Sequence, residues 1–206
     1  MCSQITMEIE TQFRVAASVL FIVAFSMSAY FRRRAQRGDD KISPAQEGTL
    51  ILTLRRIFGL ALWLSVLLYL IYPKAISWGQ LNLPLWLRGL GLIVMALCLP
   101  VFYWIFSSLD ANITSTVVTR KDHTLVVTGP YRWVRHPLYT IGTLFFLGFS
   151  LVAESWFIAL LLILESIILD RRTSIEERQL VARFGDDYLN YMEQTGRYLP
   201  KIQSAP

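Results

Sequence analysis

Long apolar runs separated by short polar segments make up most of this chain. The runs cover residues 13–31, 57–72, 83–109, 138–153 and 156–169. A membrane-spanning helix needs about 20 predominantly apolar residues, and the first and third runs approach or exceed that length. The pattern predicts an all-α integral membrane protein with five transmembrane helices.

The last two runs are short and close together, because only Glu154 and Ser155 separate them. This spacing predicts a tight helical hairpin. Residues 138–153 would reach only ~24 Å as a helix, less than the ~30 Å thickness of the apolar layer. The fifth run continues without Gly or Pro as far as Gly185. We therefore expect one helix from about Ser155 to Phe184, half in lipid and half in cytosol.

Basic residues flank the runs unevenly. Of the 20 Lys and Arg, all but Arg14, Lys74 and Arg88 fall in the first loop, the third loop or the tail. Cytoplasmic segments of membrane proteins carry the excess of Lys and Arg. The distribution predicts an N-terminus outside and a C-terminus in the cytoplasm. Arg88 lies near one end of the third run, where it can extend toward the headgroups.

Composition narrows the class of protein. The chain is 54% apolar and 17% charged, with a net charge of +5 and a mean hydropathy of +0.44. Its basic residues lie beside apolar runs, so the charge indicates topology and not nucleic acid binding. Two His and unclustered Cys predict no metal site. We expect a single membrane domain, 1–206, with three N-terminal spans in 1–110 and a functional core in 119–200.

Polar residues gather in two segments on the predicted cytoplasmic side, around 119–139 and 170–198. Pro137 is at a favoured first helical position, which places His136 at the N-terminus of the fourth span. Helix N-termini favour carboxylates and phosphates. The alternative is that His136 caps the helix while Arg135 meets lipid headgroups.

The fifth helix is predicted to carry a polar stripe. At 100° per residue, one narrow face contains Glu165, Leu169, Arg172 and Glu176, while Glu177 is turned ~120° away. An ionisable group at lipid depth normally faces a cavity or a partner, so Glu165 is a candidate catalytic residue. The alternative is a structural hydrogen bond from Glu165 to Arg88, Thr143 or Ser150.

An ordered set of motifs covers about residues 119–200. It consists of His123-Thr124-Leu125-Val126, Gly129-Pro130-Tyr131, Arg135-His136-Pro137-Leu138-Tyr139, Arg172, Glu176-Glu177, Phe184-Gly185-Asp186-Asp187-Tyr188 and Leu199-Pro200. In this order the motifs resemble the isoprenylcysteine carboxyl methyltransferase family. That family lies within a wider group of membrane methyltransferases that includes the phospholipid N-methyltransferases.

The resemblance implies S-adenosylmethionine as cofactor and a cytoplasmic site built from the loop before span four and the extension of helix five. It implies cofactor contacts at His123, Thr124, Leu125, Val126, Tyr131, His136, Pro137, Leu138, Tyr139 and Glu176. Arg172 corresponds to the proposed ligand of the substrate carboxylate. The sequence departs from the family pattern at Thr119, where some members have Gln, and at Ser174 and Ile175, where the family is acidic.

The resemblance also implies a reaction and a setting. The first hypothesis is carboxyl methylation of a prenylcysteine-like, lipid-soluble acceptor at a site open to cytosol and bilayer. The alternatives are a phospholipid or small-thiol methyltransferase, a sterol-type reductase using NADPH, and a non-enzymatic membrane scaffold. The expected location is a bacterial inner or plasma membrane, or the endoplasmic reticulum of a eukaryote, with the active site facing the cytoplasm.

Overall fold

The computed structural model describes residues 2–35, 49–109 and 125–201, and over these ranges the regular structure is helical. The helices are α1 (Cys2–Ala35), α2 (Thr49–Ile71), α3 (Leu85–Leu109), α4 (Pro137–Val152), α5 (Trp156–Phe184) and α6 (Asp186–Gln194), with short 3-10 helices at Pro73–Gly79 and Gly129–Arg132. The all-helical prediction is confirmed, and Pro100 lies inside α3.

Within the described ranges, three helices contain segments long and apolar enough to cross a membrane, namely Met7–Arg34, Leu50–Ile71 and Leu85–Leu109. They correspond to the first three predicted spans. The shorter α4 is also apolar, and the first half of α5 contains the fifth predicted span. The protein is an integral membrane protein.

The turn between α4 and α5 is as tight as the sequence predicts. Glu154 adopts a positive φ of 52°, and its carbonyl accepts a hydrogen bond from Leu81 N at 2.8 Å. Ser155 then caps α5, because its Oγ accepts from Ile158 N at 3.3 Å, as expected of an N-cap serine. At the other end α5 stops at Gly185, whose φ is 56°. The prediction of one helix across this region is confirmed.

The helices pack through aromatic rings and one close approach. Helix α3 packs against α4 and α1, while α5 packs against α2 and α4. The ring of Phe21 on α1 lies 5.8 Å from that of Phe149 on α4. Where α3 crosses α4, a Cβ added to Gly91 would lie 2.6 Å from the carbonyl oxygen of Gly148. Glycine therefore lets the two backbones meet there.

A buried ion cluster lies at the end of the bundle that contains the α4–α5 turn. Arg88 is only 5% exposed; its Nη2 donates to Glu10 Oε2 at 2.6 Å and its Nε to Val152 O at 3.1 Å. Arg88 Nη1 also lies 3.5 Å from Glu154 Oε2. Arg88 does not take the extended position open to it at the end of the run, because Glu10 and Glu154 supply partners within the bundle that the linear sequence does not reveal.

Candidate active site

The first turn of α4 meets the polar stripe of α5 at Tyr139. Arg172 Nη1 donates to Tyr139 Oη at 2.9 Å, and Tyr139 Oη donates to Glu176 Oε2 at 2.8 Å. Arg172 and Glu176 are four residues apart, which places them on one face of the helix. The predicted alignment of these two residues on one face is confirmed, with Tyr139 as the group that joins them.

His136 lies beside the three residues Tyr139, Arg172 and Glu176, which form the Tyr139 group. Its ring stacks on that of Tyr139, with centroids 5.4 Å apart and planes 3° from parallel. His136 occupies the N-cap position of α4 but makes no side-chain capping bond. Its Nε2 instead lies 3.3 Å from Glu177 Oε1. The imidazole therefore links the Tyr139 group to Glu177.

Glu177 is the centre of a buried charge network. Arg135 Nε donates to Glu177 Oε1 at 2.9 Å, and Arg197 Nε donates to Glu177 Oε2 at 3.0 Å. Burial alone would raise the pKa of the Glu177 carboxyl, but hydrogen bonds from His136, Arg197 and Arg135 together hold this pKa well below its usual range. Glu177 is therefore ionised at neutral pH. Its carboxylate joins α5 to the loop before α4, through Arg135 and His136, and to the C-terminal tail, through Arg197.

The C-terminal tail packs against the loop before α4. Arg135 N donates to Gly196 O at 2.9 Å, and His136 N donates to Arg197 O at 3.0 Å. The Arg135 guanidinium also donates to the carbonyl of Thr195. Gly196 is required here, because a Cβ at this position would lie 1.7 Å from Leu199 O. The tail thus fixes the backbone that carries Arg135 and His136.

A cavity of about 500 Å³ adjoins the Tyr139 group within the helix bundle. Its polar lining comes from Arg32, Arg55, Glu165, Tyr139, Ser28, Thr143 and Ser166, and its apolar lining includes Phe21, Phe25, Leu62, Trp63, Phe102, Phe106, Phe145, Phe146, Leu162 and Leu169. Phe25 and Trp63 are also 57% and 39% exposed, so the lining reaches the bundle surface between α1 and α2. The volume and lining suit a small lipophilic ligand with a polar head.

Comparison with known proteins points to one family. A sequence profile described as phospholipid methyltransferase matches residues 86–187. The protein-S-isoprenylcysteine O-methyltransferase of Tribolium castaneum is 31% identical over 57% of this chain and 43% of its own length. The human enzyme of the same name is 28% identical over 72% of this chain and 52% of its own length. These likenesses support membership of the chain in the isoprenylcysteine carboxyl methyltransferase family.

A solved structure supports the family fold. A eukaryotic intramembrane Ras methyltransferase, isoprenylcysteine carboxyl methyltransferase, superimposes with a TM-score of 0.54 at 21% identity, covering 93% of this chain and 70% of that one. The present chain spans about half the length of the curated relatives it matches. The shared fold is established by this likeness, while the activity of those enzymes bears on this chain only as a proposal.

The structure brings together several of the residues that the family resemblance singles out. Tyr139, Arg172 and Glu176 are in contact, His136 stacks on Tyr139, and Leu138 lines the cavity. Pro137 is buried in the first turn of α4.

The other predicted contacts lie upstream. Tyr131 is buried, and its carbonyl accepts from Tyr191 Oη at 2.6 Å. Leu125 and Val126 are partly buried in irregular chain before Gly129–Arg132. His123 and Thr124, like Thr119, lie outside the described residues. Roles in cofactor binding remain predictions for all of these positions.

At three residues the structure differs from what the sequence predicts. Glu177 was set aside because it lies off the stripe, yet a second face of α5 carries it into the charge network. The alternative that Arg135 meets lipid headgroups was wrong, since Glu177, Met192 and Thr195 surround its guanidinium. Arg197 is one basic residue of a basic tail, and the sequence does not predict its contact with Glu177. The adjacent acids Glu176-Glu177 were the available signal, because two successive positions on a helix serve two faces.

Glu165 lies near a charged residue that the sequence does not predict as its partner. It lines the cavity and lies 3.7 Å from Arg55 Nε on α2. Of the proposed partners, Arg88 instead pairs with Glu10 and Glu154, and Ser150 Oγ donates to Leu147 O. The default expectation that an ionisable residue at lipid depth faces a cavity is confirmed for Glu165.

Proposed function

We propose that this chain transfers a methyl group from S-adenosylmethionine to the carboxylate of a prenylcysteine-like, lipid-soluble acceptor. The observation that carries the proposal is the position of Tyr139. This residue lines the apolar cavity and also contacts Arg172 and Glu176. A lipophilic acceptor in the cavity would therefore meet the polar group at one end.

The polar residues at this end suit the cofactor. Glu176 offers a carboxylate that can accept from the hydroxyl or ammonium groups of such a molecule, and the stacked His136 and Tyr139 rings offer aromatic surface to an adenine. Bound S-adenosylmethionine supplies an electrophilic methyl group for in-line displacement. Arg172, which is 5% exposed, would orient the acceptor carboxylate, which is already ionised at neutral pH. Alignment and exclusion of water are then the main contributions of the protein.

An amine acceptor is the second candidate, because the matching family profile is described as phospholipid methyltransferase. An amine must lose a proton during methylation, and Glu165 in the cavity would accept that proton. Radiolabelled methyl transfer into a prenylcysteine analogue, phosphatidylethanolamine and a small thiol separates the candidates. Label only in the prenylcysteine analogue is expected, and label only in phosphatidylethanolamine would overturn the first proposal.

The site divides into a cofactor end and an acceptor end. We expect Glu176→Ala to abolish S-adenosylhomocysteine binding, because it removes the carboxylate that Tyr139 contacts. Arg172→Ala is expected to leave this binding within about twofold of wild type and to raise KM for the acceptor about tenfold or more. Calorimetry and steady-state kinetics in detergent measure the two effects.

Arg171→Ala is the matched control for that pair, since Arg171 is the exposed neighbour of Arg172. It should bind S-adenosylhomocysteine and turn over like wild type. Equal loss of S-adenosylhomocysteine binding in Glu176→Ala and Arg172→Ala would contradict the division into two ends.

We further propose five spans with the N-terminus outside, the C-terminus in the cytoplasm and the site on the cytoplasmic side. Support comes from the distribution of basic residues and from α5, whose second half is polar. A Lys201→Cys variant lacking Cys2 and Cys98 should react with a membrane-impermeant maleimide from the cytoplasmic side alone. Reaction from the opposite side would invert the proposed topology.

A further inference from the structure

Three charged side chains, Arg32, Arg55 and Glu165, line the otherwise largely apolar cavity, and the opposite charges of Arg55 and Glu165 do not satisfy each other. Arg55 comes from α2 and Glu165 from α5, and both line the cavity. Arg55 Nε lies 3.7 Å from Glu165 Oε1, which is too long for a hydrogen bond. Their side chains are 36% and 19% exposed.

Each residue has a buried atom that lacks a partner. Among the residues that the structure describes, Arg55 Nε and Glu165 Oε2 make no hydrogen bond. A buried donor or acceptor left without a partner costs free energy, so such atoms usually have a reason to be there. Here one atom is a donor on a cation and the other is an acceptor on an anion. A ligand head that satisfies both needs an anionic acceptor beside an N–H donor.

The rest of the cavity restricts what that head is attached to. Aromatic and aliphatic side chains form most of the lining, including Phe102, Phe145 and Leu162, while Tyr139 connects it to Arg172. An amphiphile would pack its tail among the rings and leave its head near Arg55, Glu165 and Tyr139. The same pair of charges would not suit a fatty acid, which carries the anion and lacks the N–H.

We propose that Arg55 and Glu165 form a recognition pair for an acceptor whose carboxylate lies next to an N–H group. In this arrangement Arg55 Nε donates to a carboxylate oxygen and Glu165 Oε2 accepts from the adjacent amide or amine. The inference rests on the proposed function, because it adds specificity to the same acceptor. Glu165 then selects the acceptor and does not act as a proton acceptor in the methyl transfer.

Two ligands that differ only at the N–H test this pair. N-acetyl-S-farnesylcysteine carries an amide beside its carboxylate, and S-farnesyl-3-mercaptopropionate has the same carboxylate and tail without the amide. Calorimetry in detergent should show wild type binding the first about tenfold more tightly than the second, as expected for a hydrogen bond to a charged group. In Glu165→Leu the ratio should fall to near one. In Arg55→Met both ligands should weaken in parallel, because both contain the carboxylate.

Two more variants complete the design. Arg56→Met removes a neighbouring exposed charge and should keep the wild-type ratio. The double variant Arg55→Met with Glu165→Leu removes both members of the pair, so neither is left without the other, and it tests the ratio even if Glu165→Leu does not fold. A wild-type ratio near one, or an unchanged ratio in the double variant, would overturn the proposal.

The binding ratio is independent of methyl transfer. If the recognition pair is right and the proposed function is wrong, the ratio persists while neither ligand accepts a radiolabelled methyl group. If the function is right and the pair is wrong, both ligands are methylated and their affinities are alike in wild type and variants.

Discussion

Replacement of Glu177 by alanine is expected to abolish the proposed methyl transfer and to lower the thermal midpoint in detergent by a large margin. The carboxylate receives hydrogen bonds from Arg135 and Arg197 and faces His136. Its removal leaves two guanidiniums without their shared anion, and breaking a buried ion pair costs about 3–5 kcal/mol. The loop that carries Arg135 and His136 leads directly into Tyr139, so activity should be lost together with stability.

Glu193→Ala is the control for this change, because Glu193 is an exposed carboxylate nearby on α6. Lys201 contacts only its backbone oxygen, so the side chain is dispensable, and the midpoint should stay at the wild-type value. A Glu177→Ala protein with an unchanged midpoint and normal turnover would show that the network does not hold the site together.

The pH dependence of the same network follows from the lowered pKa of Glu177. A carboxyl whose folded pKa is depressed contributes stability that is complete above the unfolded value, about 4.3, and is lost as the pH falls toward the folded value. The difference in midpoint between wild type and Glu177→Gln should therefore be constant from about pH 8 to about pH 5 and should shrink below about pH 4.

Local signals made α5 predictable, and the absence of such signals hid the charge network. A serine before an apolar run and a glycine after a polar one mark the two ends of α5 by conformational preferences that act within a few residues. The stripe joining Arg172 and Glu176 follows from helical periodicity alone. By contrast, Arg197 reaches Glu177 through a tail that turns back on the loop before α4, and backbone pairing of that kind has no periodic pattern.

The linear sequence also could not predict which charged side chains on different helices pair with each other. The position of Glu165 predicted a polar contact, but the choice of Arg55 depends on how α2 packs against α5. Arg88 is similar, because an arginine near the end of a span can extend to the headgroups or find carboxylates in the bundle. Arg88 pairs with Glu10 on α1 and with Glu154 in the hairpin. Only the packing of the helices brings these carboxylates within reach of its guanidinium.

The glycines of α3 give the second large expected effect, and they respond to substitution in opposite ways. Gly91 meets the backbone of α4, since a Cβ there would lie 2.6 Å from Gly148 O and 3.0 Å from a methyl of Val152. The carbonyl cannot rotate away as a side chain would, so Gly91→Val must push α3 from α4. Overpacking of this kind costs about 1–3 kcal/mol or more, and we expect a clearly lower thermal midpoint and a reduced yield of folded protein.

Gly89→Val is the matched control, two residues away on the same helix, where an added Cβ meets nothing within 4 Å. Valine is a better helix former than glycine by a few tenths of a kcal/mol, so the midpoint should stay level or rise slightly. Thermal unfolding of both variants in one detergent measures the contrast. Equal destabilisation by the two substitutions would show that the close approach of α3 to α4 is not what fixes glycine at position 91.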